Sequence, residues 1–133
     1  MAESARSAGS GEGLRRVLVR DLVLKASVGV YAHEREARQR VRINLDLGVH
    51  EGDPAKIGDR LAHVVDYDRV VNAIRGVMAG GHVNLLETLA EKIAEVCFED
   101  HRVREARVRV EKLDILPDAD SVGIEIERRS PYA

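Results

Sequence analysis

RVRINLDLGVH, residues 40–50, is the stretch whose reading decides the fold. Val41, Ile43, Leu45, Leu47 and Val49 alternate with polar or small residues, a period of two that marks a strand with one buried face. Upstream, the Val and Leu content of LRRVLVRDLVLKASVGVY predicts a strand over 15–25, although its alternation is imperfect. Between the two strands GVYAHEREARQ reads as a polar connection opened by Gly29.

Downstream, EGDPAKIGD is turn chemistry, and from Tyr67 the period changes. Val70, Val71, Ile74, Val77 and Met78 fall at helical spacing, with Asp66 or Asp68 available near the N-terminus and two glycines at the exit. A second helix is expected over 85–98, with Leu85, Leu86, Leu89, Ile93, Val96 and Cys97 as its apolar stripe. Two strands follow. Ala106, Val108 and Val110 alternate with Arg107, Arg109 and Glu111, then Val122, Ile124 and Ile126 with Gly123, Glu125 and Glu127.

The order ββααββ implies an α+β domain over 15–130, an antiparallel four-stranded sheet with two helices on one face. Mixed charges on the opposite face, among them Arg40, Arg42, Asp46 and Arg129, suit cross-strand pairs on a solvated surface. Four strands leave two sheet edges to be managed, which oligomerisation would do.

Bulk properties exclude several functions. The 133 residues carry 21 basic and 23 acidic groups, so no positive excess draws the chain to phosphate backbones or anionic lipid. Aromatics are 3% and Trp is absent, a poor stacking platform for single strands. Nucleic acid is therefore not an expected partner. No apolar run approaches the ~20 residues of a membrane span. The N-terminal MAESARSAGSGEG lacks a signal-peptide core and reads as a flexible tail, 1–14, so a soluble cytoplasmic protein is expected. The single cysteine, Cys97, lies on an apolar helix face and reads as a small buried hydrophobe.

Four polar residues carry both a bland and a chemical reading. Lys112 continues the inward parity of Val108 and Val110; it is either a desolvated ammonium suited to proton transfer or a strand-end lysine reaching back to water. With Asn84 as N-cap, Glu87 would be N3 of a capping box, yet the same place offers an acceptor for a donor pair on a planar heterocycle. Tyr67 opens a helix, where packing with a hydrogen-bonded hydroxyl is the ordinary role. Glu34 lies in a charged loop, where solvation is the ordinary state. His33, His50, His63, His82 and His101 show no ligand-like spacing, and nothing in the pattern asks for a metal.

Four stretches in this order, GVYAHEREARQRVRINLDL, HVVDYDRVV, VNLLETLAEKI and VRVEKLDILPDADSVGIEIER, resemble the dihydroneopterin aldolase family and its close epimerase relatives. The resemblance covers roughly 14–129. It implies a tunnelling fold, assembled as a homotetramer or homo-octamer with active sites between subunits, and no cofactor. Glu34 would contact the hydroxylated tail of a pterin substrate, and Glu87, with Leu86 beside it, would accept hydrogen bonds from the 2-amino-pyrimidinone edge. Tyr67 would reach the ligand from a neighbouring subunit, and Lys112 would perform acid–base chemistry. The implied reaction is a metal-independent retro-aldol cleavage of 7,8-dihydroneopterin, with 2'-epimerisation as the alternative and a non-catalytic pterin-binding scaffold as a second. One departure favours the epimerase branch: Leu113 follows the lysine where many aldolases soon place proline.

Overall fold

The computed structural model describes residues 14–132. The expected tail therefore lies outside the described residues, apart from Leu14. Strands β1 (Arg15–Ala26), β2 (Gln39–Val49), β3 (Val103–Lys112) and β4 (Val122–Arg129) form one antiparallel sheet in the order β1-β2-β3-β4. Among the described residues three α-helices accompany it: α1 (Ala32–Glu36), α2 (Tyr67–Met78) and α3 (Leu86–Cys97). No helix among the described residues is long and apolar enough to cross a membrane.

The alternation in β2 builds the core. Val41, Ile43, Leu45, Leu47 and Val49 are all buried, and they meet Ile74 and Met78 of α2 and Leu89, Ile93 and Cys97 of α3 in one cluster. Each such side chain contributes about 1.5–3 kcal/mol of transfer free energy. Burial pushes the Cys97 thiol up to about 12, as suits an inert packing residue. Leu85 departs from its expected place in the α3 stripe: it precedes the first turn and is 50% exposed.

The imperfect alternation of β1 has a structural cause. Its pairing with β2 shifts between Val19 and Leu22, where Asp21 takes φ 56°. Asn44 secures this bulge by accepting from the Asp21 amide at 2.9 Å. One inserted residue moves the inward positions from odd (Val17, Val19) to even (Leu22, Leu24, Ala26).

The outer face carries the expected cross-strand pairs. Arg42 meets Glu111 at 3.1 Å, Arg107 meets Glu127 at 2.8 Å and Arg109 meets Glu125 at 3.0 Å, each pair directly opposite in register. The two more exposed pairs, Arg107–Glu127 and Arg109–Glu125, contribute about 0.2–1 kcal/mol each.

The sheet has two ends, and the helices link them. Ala26, Gln39, Lys112 and Val122 lie at one end; Arg15, Val49, Val103 and Arg129 lie at the other. α2 starts at the second end, where the Val65 amide donates to Glu51 Oε2 at 2.6 Å and Glu51 pairs with Arg15. It finishes at the first end, where Arg38 donates to the Met78 carbonyl at 2.6 Å. α3 then runs back, so its N-terminus sits at the Lys112 end.

Candidate active site

At the Lys112 end the chain leaves β1 through Ser27, Val28 and Gly29. Gly29 has φ +135°, a conformation side chains disfavour, and a Cβ there would collide with the Glu34 carboxylate. The bare backbone lets α1 fold Glu34 inward. What reads in sequence as a polar connection is thus partly a short helix, whose one buried residue is a carboxylate.

Glu34 is 2% exposed, which overturns the expectation of a solvated loop residue. Its Oε1 accepts from the Tyr31 amide at 3.3 Å, and its Oε2 accepts from Gln39 Nε2 at 2.9 Å and from Lys112 Nζ at 2.6 Å. Lys112 keeps the inward parity of β3, and its side chain is 14% exposed. It does not escape to water, because a buried carboxylate waits on that face. Burial alone would raise the Glu34 pKa; the hydrogen bonds from Lys112, Gln39 and Tyr31, with the lysine's charge, outweigh this and hold it down at about 2.

That depression has a consequence for acid stability. Because the folded pKa lies below the ordinary 4.5, the contribution is present in full above about pH 4.5 and is lost as pH falls towards 2. Denaturant midpoints should fall across that window by an amount worth on the order of 3 kcal/mol. In Glu34→Gln this share of the fall should be absent, leaving only that of the other carboxylates held low by arginines, Glu51, Asp100, Glu111 and Asp114. An unchanged slope in the variant would assign the acid sensitivity to other carboxylates.

The segment before α3 lies against the same turn. Val28 bridges Val83, the Gly29 amide donates to the Val83 carbonyl at 3.0 Å, and the Val83 amide donates to the Ser27 carbonyl at 3.1 Å. Here the expected capping box is absent. The N-cap is Leu85, with φ −121° and ψ 143°, so Glu87 is the second helical residue rather than the third. Asn84 Oδ1 accepts instead from Arg35 Nη2 at 2.7 Å. Glu87 is exposed in the first turn with no side-chain partner among the described residues, and Leu86 beside it is half-buried.

Tyr67 is not part of this cluster. It opens α2 at the opposite end of the sheet and is 63% exposed, and among the described residues its hydroxyl has no hydrogen-bond partner of the kind a packing role implies. The 11 residues of β2 separate the two ends, at about 3.3 Å each roughly 35 Å. One chain brings Glu34, Lys112 and the Glu87 helix start to one end and leaves Tyr67 at the other.

Sequence reasoning passed over Gln39 as a partner. Its amide nitrogen reaches both Glu34 and the Val28 carbonyl, the latter at 2.6 Å. The available signal was its position: a Gln opening a strand opposite Ala26, two residues before Val41 pairs with Lys112.

Comparison with known proteins identifies relatives over most of the chain. The sequence model of the family described as dihydroneopterin aldolase matches residues 17–127. The dihydroneopterin aldolase of Streptomyces coelicolor is 39% identical over 115 residues, spanning 85% of this chain and 96% of that protein. The dihydroneopterin triphosphate 2'-epimerase of Pseudomonas aeruginosa is 31% identical over 112 residues, spanning 84% and 90%. A crystal structure of dihydroneopterin aldolase from Burkholderia thailendensis bound to guanine superposes with a TM-score of 0.75 at 36% identity, covering 87% of this chain and 91% of that one. With the family match running from β1 into β4 and the same sheet-and-helix fold in a solved relative, the chain belongs to the dihydroneopterin aldolase family.

Proposed function

We propose that this protein cleaves 7,8-dihydroneopterin by a retro-aldol reaction, giving 6-hydroxymethyl-7,8-dihydropterin and glycolaldehyde. The observation that carries the reading is the buried Lys112–Glu34 pair, 2.6 Å apart, tied through the Val28–Val83 bridge to a helix start bearing the unpartnered Glu87. In this reading Glu87, with Leu86 against the ring, accepts from the 2-amino-pyrimidinone edge. Glu34 holds the Lys112 ammonium and faces the hydroxylated tail. A base takes the 2'-hydroxyl proton, the C1'–C2' bond breaks, and its electrons pass into the C=N bond of the dihydropterin, leaving an enamine that is protonated at C1'. The substrate supplies its own electron sink, so neither a lysine Schiff base nor a metal is required. Lys112 and Tyr67 share the proton transfers.

Two features support 2'-epimerisation at the same site, through recapture of glycolaldehyde on its other face. One is the similarity to an epimerase. The other is Leu113, whose amide donates to the Arg40 carbonyl at 3.2 Å, a bond that proline could not make. The test is product analysis with purified protein, 7,8-dihydroneopterin and excess chelator. Hydroxymethyldihydropterin with glycolaldehyde supports cleavage, the 2'-epimer alone supports the second reading, and unchanged substrate rejects both.

The separation of Tyr67 from Lys112 supports a site shared between subunits of a homo-oligomer, a tetramer or an octamer. The exposed apolar residues of the edge strands, Leu18 and Val23 on the outer face of β1 and Val122 at the start of β4, support such an assembly as well. Lys112→Ala and Tyr67→Phe chains, each nearly inactive alone, should regain activity when co-expressed. Random mixing leaves about a quarter of sites with both groups intact. Activity no higher than that of the single variants would count against a site that combines the two groups from different subunits.

A further inference from the structure

His82 has no part in the chemistry above, yet its ring is held at both nitrogens. Nδ1 lies 2.7 Å from Ser27 Oγ, and Nε2 lies 2.7 Å from the Gly29 carbonyl oxygen. A carbonyl oxygen only accepts, so Nε2 carries a proton and donates; in the neutral ring Nδ1 then accepts from the Ser27 hydroxyl. Ser27 and Gly29 flank Val28, which bridges Val83, the residue next to His82. With the two backbone hydrogen bonds of Val83, the imidazole closes a four-link clamp between the exit of β1 and the entrance of α3. On one side of the clamp Glu34 packs over Gly29 and holds Lys112. On the other side, Glu87 stands in the first turn of α3.

We propose that His82 is a positioning residue that fixes the separation between the ring anchor Glu87 and the Glu34–Lys112 pair. The inference rests on the aldolase reading. Ring binding needs the anchor alone, whereas carbon–carbon cleavage needs anchor and proton-transfer group at a set distance along one rigid substrate. A misplacement of about 1 Å lowers a rate about 100-fold. Loosening the clamp therefore acts on kcat and spares the ring.

The test compares wild type, His82→Leu, His82→Gln and Ser27→Ala in steady-state kinetics with 7,8-dihydroneopterin. Calorimetry with guanine serves as a probe of the ring edge alone. His82→Leu should lower kcat by about 10- to 100-fold with guanine affinity within about threefold of wild type. His82→Gln, which carries a donor and an acceptor on one group, should recover most of the rate. Ser27→Ala should show a smaller loss of the same kind, and it carries the test if His82→Leu does not fold. A wild-type kcat in the Leu variant, or in Ser27→Ala where that variant stands in for it, overturns the inference. So does a parallel loss of kcat and guanine affinity that Gln fails to rescue. An active wild type with indifferent variants removes only this inference; an inactive wild type removes the aldolase reading with it.

Discussion

Lys112→Ala is expected to lower kcat for dihydroneopterin cleavage by about 10³-fold and to leave ring affinity within about threefold, because a positioned general acid–base contributes roughly 10²–10⁴ to a rate. The lysine is held on its inward face by Glu34 at 2.6 Å, and 14% of its side chain remains open to an incoming group. A single substitution confounds two effects, however. Removing the ammonium leaves the Glu34 carboxylate buried with only Gln39 and the Tyr31 amide as donors. Breaking one side of a buried ion pair costs about 3–5 kcal/mol of stability. The double variant Glu34→Gln/Lys112→Met separates these effects, since it buries no charge. It should recover much of the lost stability and none of the lost rate. If the double variant regains activity, the rate loss in Lys112→Ala comes from misfolding around an orphaned carboxylate. If Lys112→Ala turns over normally, the proton travels by another group.

Much of this pair was legible in the sequence, but not all of it. Lys112 could be found because strand parity is rigid: with Ala106, Val108 and Val110 inward, residue 112 is inward too. Its partner could not. α1 is five residues long and buries only Glu34, so no apolar stripe announces a helix, and a buried charge inverts the signal on which periodicity depends. The turn that admits Glu34 depends on a missing Cβ at Gly29, a matter of close approach that no spacing rule carries. β1 was blurred by the bulge at Asp21, which shifts the register of its inward residues halfway along the strand. The alternation of β2, whose register shifts place the extra residue in its neighbours β1 and β3, was enough to orient the whole sheet. Tyr67 shows a different limit. Its helix was plain, but its distance from Lys112 follows from the direction in which α2 crosses the sheet, which is a property of topology rather than of local pattern.

Glu87 gives the second large effect, and the structure sharpens its test. A capping-box glutamate at the third helical position would leave every substitution ambiguous between lost affinity and a frayed helix. The N-cap at Leu85 removes that ambiguity: Glu87 is the second helical residue and caps nothing, and Asn84 is engaged by Arg35. Its one structural contribution is a carboxylate near a helix N-terminus, about 0.3–1 kcal/mol. Two charge-assisted hydrogen bonds to a pterin edge are larger, together about 3 kcal/mol, or roughly 100-fold in Kd. Glu87→Ala should therefore weaken binding of 7,8-dihydroneopterin and of guanine by about 100-fold while unfolding changes by less than about 1 kcal/mol. Glu87→Gln should behave almost as badly, because its amide turns a donor towards a donor edge. Calorimetry on both ligands, with denaturation curves of the same preparations, separates the roles. Unchanged affinity with a destabilised fold would make Glu87 a helix-dipole residue and leave the pterin without its anchor. Equal losses for the full substrate and for guanine would locate the binding energy on the ring edge, where the free carboxylate at the start of α3 can reach it.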